Sequence, residues 1–194
     1  MIRYLLYLVA NIAMEIISVP MAFVLPFFAH NAWLPKWLWW FQTPDNSLNG
    51  DSGWQNEHWQ WRKKLPDLFC MYVGYMGWLL RNRAYGFKWT VLAATVVQDA
   101  LHYEGDIDIK NRDHAKAGWF RVWMNEYWQY KCIRQIFGLQ KCVMLNFGWQ
   151  LDNYVTDPEL HLTRPKALFM FSPRITAFHP DPAQPQAVQE AAGA

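Results

Sequence analysis

Charge is scarce in this chain: Asp, Glu, Lys and Arg make up 18% of its 194 residues and balance to a net charge of +2. So mild a balance provides no electrostatic footprint for a phosphate backbone, and no specific nucleic acid is expected as a partner. Cysteine is scarcer still. Cys70, Cys132 and Cys142 form an odd set without metal-type spacing, which argues against a disulfide-stapled scaffold and suits a reducing compartment. Cys132 and Cys142 could still face each other across a hairpin, so one disulfide stays open. Catalytic signatures are missing as well. There is no G-x-S-x-G, no phosphate-cradling glycine loop, no H-E-x-x-H and no nucleophile beside an evident base. His30, His58, His102, His114, His161 and His179 are scattered. A protein that is not an enzyme is the more expected reading.

What the sequence does hold is one long apolar run. From Ile2 to Ala29 it reads IRYLLYLVANIAMEIISVPMAFVLPFFA, and after Arg3 its only formal charge is Glu15. Roughly 20 apolar residues suffice to cross the hydrocarbon of a bilayer as a helix, so the run predicts a transmembrane or re-entrant helix. It is too long for the apolar part of a cleaved signal peptide and no convincing small-x-small site follows it, so it is expected to be retained. Pro20 and Pro26 each lack a donor and disfavour helix at the preceding residue. They predict either a kinked span or a helix to about Val19 followed by a shallow interfacial piece.

Asn11 and Glu15 stand four apart and share one helix face. An ionised carboxylate in hydrocarbon is costly. The pair is therefore an intramembrane polar seam that meets a partner helix or lines a pathway, or else a Glu held neutral or turned towards the protein's own body. The second reading is the simpler one.

Aromatic residues are abundant, at 18% of the chain with 13 Trp. Trp favours the headgroup layer because its ring is apolar while its N–H stays wet. Trp33, Trp37, Trp39 and Trp40 follow directly on the apolar run, where such a belt belongs; an aromatic core beneath a small domain is the plainer alternative. Arg62, Lys63, Lys64, Arg81 and Arg83, interleaved with Trp59, Trp61 and Trp78, suit anionic headgroups, and lipid is preferred over single-stranded nucleic acid. Only Arg3 precedes the run, whereas Lys36 and these basic residues follow it. That bias predicts a cytoplasmic body and an amino end outside.

The rest of the chain divides by texture. Residues 1–41 read as the anchor with its belt. Residues 42–83 read as a polar, solvated loop (42–58) and a short apolar helix (Leu68 to Leu80) of core or interfacial type. The stretch 84–97 suits helix or strand. From His102 onwards β-branched and aromatic segments broken by turn signals predict four or five antiparallel strands, with faces too mixed to assign a core side. Residues 84–178 are thus a mainly β module, and the Pro/Ala/Gln-rich residues 179–194 a disordered tail. The fold class expected is α+β: a hydrophobic amino-terminal helix, a short interfacial helix and a carboxy-terminal antiparallel β-meander.

One loop carries a metal-like spacing. From Asp45 the sequence DNSLNGDSGWQN places Asp45, Ser47, Asn49, Gly50 and Asp51 where a calcium loop has its ligands and turn glycine. Asn56 stands where a bidentate Glu is wanted, and Pro44 gives no entering helix. Asp45, Asn49 and Asp51 would therefore hold calcium weakly, and an Asx-turn loop that satisfies its own backbone is the stronger reading. No other cofactor is expected. His102, Glu104, Asp106, Asp108, Asp113 and His114 gather in a polar hairpin that a charged, solvated turn explains as well as an acid–base site.

The order of these features resembles an uncharacterised family of small membrane-associated proteins encoded by tailed bacteriophages and prophages. The resemblance is carried by the apolar amino end with its internal Glu and Pro, LPKWLWWFQTPDNSLNGDSGW, WLLRNRAYGF, and the late FGWQL and FSPRI. It spans Met1 to about Thr176, and its most specific pieces are WFQTPDN…GD at 40–51 and RNRAYGF at 81–87. Asn49 stands where related sequences are expected to carry Asp. The resemblance implies a phage origin and no known activity. The expectation is a phage-encoded protein anchored in the host inner membrane and acting by interaction at the envelope. Its partners would be the lipid bilayer and a host membrane protein. The alternatives are a virion component that contacts other subunits, and a small metal-assisted hydrolase.

Overall fold

A computed structural model describes residues 2–62, 64–109, 116–137, 139–156 and 166–178. The expected α+β class is what it shows: a long apolar helix first, short helices next, and an antiparallel sheet in the carboxy-terminal part. The chain divides into two units, Met1–Ala93 and Ala94–Ala194.

The first unit begins with α1 (Ile2–Val24), 23 residues long and about 34 Å from end to end at 1.5 Å per residue. Proline does not end the helix at Val19, because the helix continues through Pro20 to Val24. A 3-10 turn over Leu25–Phe28 carries Pro26 near its start, where the missing N–H is one that has no helical partner anyway. A tight turn with left-handed Asn31 and Ala32 joins His30 to Trp33, and the 3-10 segment Lys36–Phe41 follows.

The solvated loop expected at 42–58 is only partly that. Gln42, Thr43 and Leu48 are buried. The Gln42 side chain accepts from Leu34 N at 2.8 Å and donates to Asn46 O at 3.2 Å, while Thr43 Oγ1 donates to Asn46 O at 3.0 Å. The loop thus satisfies its own backbone and closes over Leu48. From Ser52 the chain is helical, as α2 (Ser52–Arg62). The apolar stretch after it forms α3 (Asp67–Arg81), with Pro66 as its cap, an acid in the first turn and a base in the last, matching the helix dipole. The ambiguous stretch that follows begins as α4 (Tyr85–Thr90).

Gly86 is required there. A Cβ on it would lie 1.8 Å from Trp39 O and 2.5 Å from Gln42 O, so α4 meets the backbone of 39–42 at a distance only glycine allows. With left-handed Ala84 before it, this explains the sequence RNRAYGF as a packing device. The core of the unit lies at the far end of α1. Ala22, Leu25, Leu34, Leu38, Leu48, Trp54, Trp78 and Leu79 bury one another there.

The second unit starts at Ala94, so α4 belongs to the first unit although composition groups it with the β module. Its strands are β1 (Ala94–Thr95), β2 (His102–Gly105), β3 (Gly118–Met124), β4 (Tyr127–Gln135), β5 (Lys141–Trp149), β6 (Lys166–Ala167), β7 (Phe169–Phe171) and β8 (Arg174–Ala177). All pairings are antiparallel: β2, β3, β4, β5 and β7 in that order, β8 also on β5, and β1 with β6 apart. A short helix α5 (Asp152–Thr156) follows β5. Phe120, Val122 and Met124 alternate inward along β3, as do Cys142, Met144 and Asn146 along β5. At Gly148 (φ +100) the alternation breaks and Trp149 also turns inward. Cys132 pairs with Leu145 and Cys142 with Gln135, so the two thiols are not cross-strand partners, and all three cysteines are free. The expected tail, 179–194, lies outside the described residues.

Candidate functional site

α1 is built inside out. Its buried residues are Tyr4, Asn11, Ser18 and Ala22, a polar or small stripe along one side. Leu5, Leu6, Val9, Ile12, Ile16, Ile17, Val19, Phe23 and Val24 are exposed. Placed at 3.6 residues per turn, these apolar residues cover an arc of roughly half the circumference. A helix on the surface of a water-soluble domain has the opposite arrangement. Among the described residues, the stretch Ile2–Phe28 is long and apolar enough to cross a membrane, by length and composition.

Part of the polar seam is paired within the first unit. Asn11 Nδ2 donates to Glu15 Oε1 at 3.0 Å, and Lys88 Nζ of α4 lies 2.6 Å from the same oxygen. Ser18 Oγ donates back to Met14 O at 2.7 Å. Glu15 therefore meets both Asn11 and Lys88 of the same chain.

Beyond the end of α1 a train of rings reaches the surface. Trp37 lies edge-on to Phe28 at 6.2 Å, Phe27 meets Tyr72 at 5.1 Å, and Tyr72 stacks near Phe69 at 6.5 Å. Tyr72 also donates its hydroxyl to Phe23 O at 2.8 Å, fixing α3 to the end of α1. Phe27 is 77% exposed, Trp37 70% and Leu68 80%. Sequence reasoning missed Phe27, Phe28, Leu68, Phe69 and Tyr72, because it took the belt from Trp alone.

The predicted belt residues divide by role. Trp37 is 70% exposed and lies edge-on to Phe28, and Trp33 is half exposed. Trp39 and Trp40 are half exposed, but Trp39 Nε1 donates to Leu34 O at 2.8 Å and Trp40 packs edge-on to Phe87 at 5.6 Å. Of the predicted basic residues, Lys64, Arg81 and Arg83 are exposed. The Arg81 guanidinium stands over Trp54 at 5.5 Å and Trp78 at 5.8 Å, a cation–π arrangement within the unit. Arg62 closes α2 by its backbone; its side chain and Lys63 lie outside the described residues.

In the loop with metal-like spacing, Asp45, Asn49 and Asp51 are exposed. Asp51 Oδ1 accepts from Trp54 N at 2.7 Å and so caps α2. Among the described residues, no group of three or more His, Cys, Asp or Glu side chains is placed to hold a metal ion. In the polar hairpin, Asp106 Oδ1 accepts from Asp108 N at 3.1 Å and its other oxygen pairs with Lys116; Asp113 and His114 lie outside the described residues.

The second unit carries a polar cluster that sequence reasoning also missed. Phe120, Lys131 and Asn146 stand opposite one another on β3, β4 and β5. Lys131 is 1% exposed and Asn146 and Gln129 are fully buried. Lys131 Nζ lies 2.8 Å from Asp152 Oδ2, 3.3 Å from Ile109 O and 5.1 Å from the Phe120 ring centre. Gln129 bridges the other two: its Oε1 accepts from Asp152 N at 2.7 Å and its Nε2 donates to Asn146 Oδ1 at 3.0 Å. The signal available was period two along β4, which puts Gln129, Lys131 and Ile133 on one face.

Residues 1–177 match the model of a protein family described as a family of unknown function (DUF7338). No curated protein and no solved structure matches the chain.

Proposed function

The chain belongs to the family of unknown function DUF7338, and on that premise we propose that it is a phage-encoded protein anchored in the host inner membrane and acting there by interaction. The observation that carries the anchoring is the inverted α1, with Asn11 and Ser18 inward and Leu5, Val9, Ile16 and Phe23 outward. In water so wide an apolar arc would be costly, whereas acyl chains solvate it. The Glu15–Lys88 pair supports the same reading, because it supplies a counter-charge to the only carboxylate of the run.

The aromatic train Trp37, Phe28, Phe27, Tyr72 and Phe69 supplies an interfacial belt at the end of α1. Exposed Lys64 and Arg83 add attraction to anionic headgroups, each by about 1 kcal/mol. The excess of Lys and Arg after the apolar run favours a cytoplasmic body. The phage origin rests on the sequence resemblance, and the partner would be a host membrane protein. Among the described residues no donor set favours a metal-dependent hydrolysis.

Expressed alone in bacteria, the protein should stay with membranes through carbonate extraction and dissolve in detergent. Recovery in the soluble fraction would remove the reading.

A further inference from the structure

We propose that the core of the second unit closes a covalent amide between Lys131 Nζ and Asn146 Cγ, tying β4 to β5 through their side chains. Lys131 and Asn146 are direct cross-strand partners, so their Cβ atoms stand about 5 Å apart on one face. That face is the buried one: Lys131 is 1% exposed and Asn146 fully enclosed. A buried lysine beside a phenyl ring is an expensive way to fill a core, where an apolar side chain of similar volume serves as well or better. Asp152 beside its ammonium, Asn146 opposite it across the strands and Gln129 bonded to Asn146 are the groups an aminolysis needs.

Asp152 Oδ2, 2.8 Å from Lys131 Nζ, is the proton acceptor. In the proposed step the carboxylate takes the proton that Nζ gives up as it attacks, beside the Phe120 ring. The Nζ lone pair forms a bond to Asn146 Cγ, and the carbonyl electrons move onto Oδ1. Gln129 Nε2 already donates to that oxygen at 3.0 Å, so a donor stands where negative charge develops. Gln129 is held for this by Asp152 N, which donates to its Oε1 at 2.7 Å.

As the Cγ–Nδ2 bond breaks, Nδ2 leaves with its two hydrogens and gains a third. Nζ loses two protons in all, both by way of Asp152, one delivered to Nδ2 and one taken up by the departing ammonia. The balance is lysine ammonium plus carboxamide giving secondary amide plus ammonium, with no oxidant and no co-reactant. Asn146 Nδ2 has no hydrogen-bond partner among the described residues although it is buried, so expelling it breaks none. Buried amide hydrogens are ordinarily satisfied; as a leaving group this one need not be. Lys131 and Asp152 act on the reacting atoms, and Gln129 positions and polarises the carbonyl.

The test is the intact mass of the purified full chain, measured after denaturation of a sample whose circular dichroism shows the sheet. The expected mass is lower than that of the sequence by one ammonia. Proteolysis should give a branched peptide joining the segment of Lys131 to that of Asn146. Lys131→Arg keeps the positive charge but should restore the full sequence mass, and Asp152→Asn should leave most of the chain unlinked. A wild-type chain at the full sequence mass overturns the proposal. So does the loss of one water, which would place the bond on Asp152. An ammonia loss that persists in Lys131→Arg also overturns it, because Asn146 would then have closed on its own backbone.

Discussion

Lys88 Nζ of α4 lies 2.6 Å from Glu15 Oε1 in the middle of α1, and Asn11 Nδ2 donates to that same oxygen at 3.0 Å. A carboxylate on an otherwise apolar helix is thereby held by a cation and an amide of its own chain. The contact also fixes which side of α1 turns inward, since Asn11 and Ser18 lie on the covered side.

Removing one partner leaves the other charge without its counter-ion. Lys88→Met should destabilise the first unit by about 2 kcal/mol, the range for hydrogen bonds to charged groups. Glu15→Gln should cost less, because the amide still accepts from Asn11. The double variant should be more stable than the sum of the single losses, giving a coupling energy in thermal melts in detergent. Additive losses would mean that the pair holds nothing.

Gly86→Ala places a methyl 1.8 Å from Trp39 O and 2.5 Å from Gln42 O. Both obstacles are backbone, so neither can swing aside. A loss of about 3 kcal/mol is expected, at the upper end for overpacking, read as faster proteolysis between residues 36 and 62. Wild-type resistance would contradict the close approach.

Asp51→Ala removes the acceptor that caps α2 and should cost about 1 kcal/mol. The loss should be the same with added calcium and with a chelator, measured by melting. A chelator-sensitive wild-type melt that the substitution abolishes would assign Asp51 to a cation.

Burial pushes the Cys142 thiol up, with Arg174 opposing in part, and the thiol donates to Ala177 O at 3.8 Å. A raised value means that the folded chain keeps a proton which the unfolded chain releases. Stability should therefore be flat below the ordinary thiol range and fall as pH rises through it towards the folded value. Cys142→Ala should remove that alkaline slope in denaturant melts. A slope unchanged in Cys142→Ala would place its origin elsewhere.

The α+β class and the long apolar helix were legible because length and composition alone carry them. The inverted face of α1 was legible in part: Asn11 and Glu15 marked the polar side, but Lys88 is far along the chain and no spacing points to it. Leu48 was lost in a run of turn formers, since its burial depends on Ala32 O accepting from Leu48 N at 2.7 Å. The core face of the sheet could not be read for a physical reason. Gln129, Lys131 and Asn146 occupy inward positions while Trp119, Phe171 and Ile175 face outward, so polarity and burial run against each other there. Gly148 then shifts the alternation before Trp149. The polar cluster was invisible for the same reason: a strand pattern gives faces, and only register gives partners.

The environment of the outer arc of α1 decides the account most directly. In the full chain with its native cysteines replaced, Val9→Cys and Ile16→Cys carry nitroxide labels in liposomes, and their collisions with oxygen and with a water-soluble nickel chelate are compared. Both sites should meet oxygen readily and the chelate rarely, as positions in hydrocarbon do. Ready access of the chelate to both would show the arc to be in water, and the membrane-anchored reading would fall.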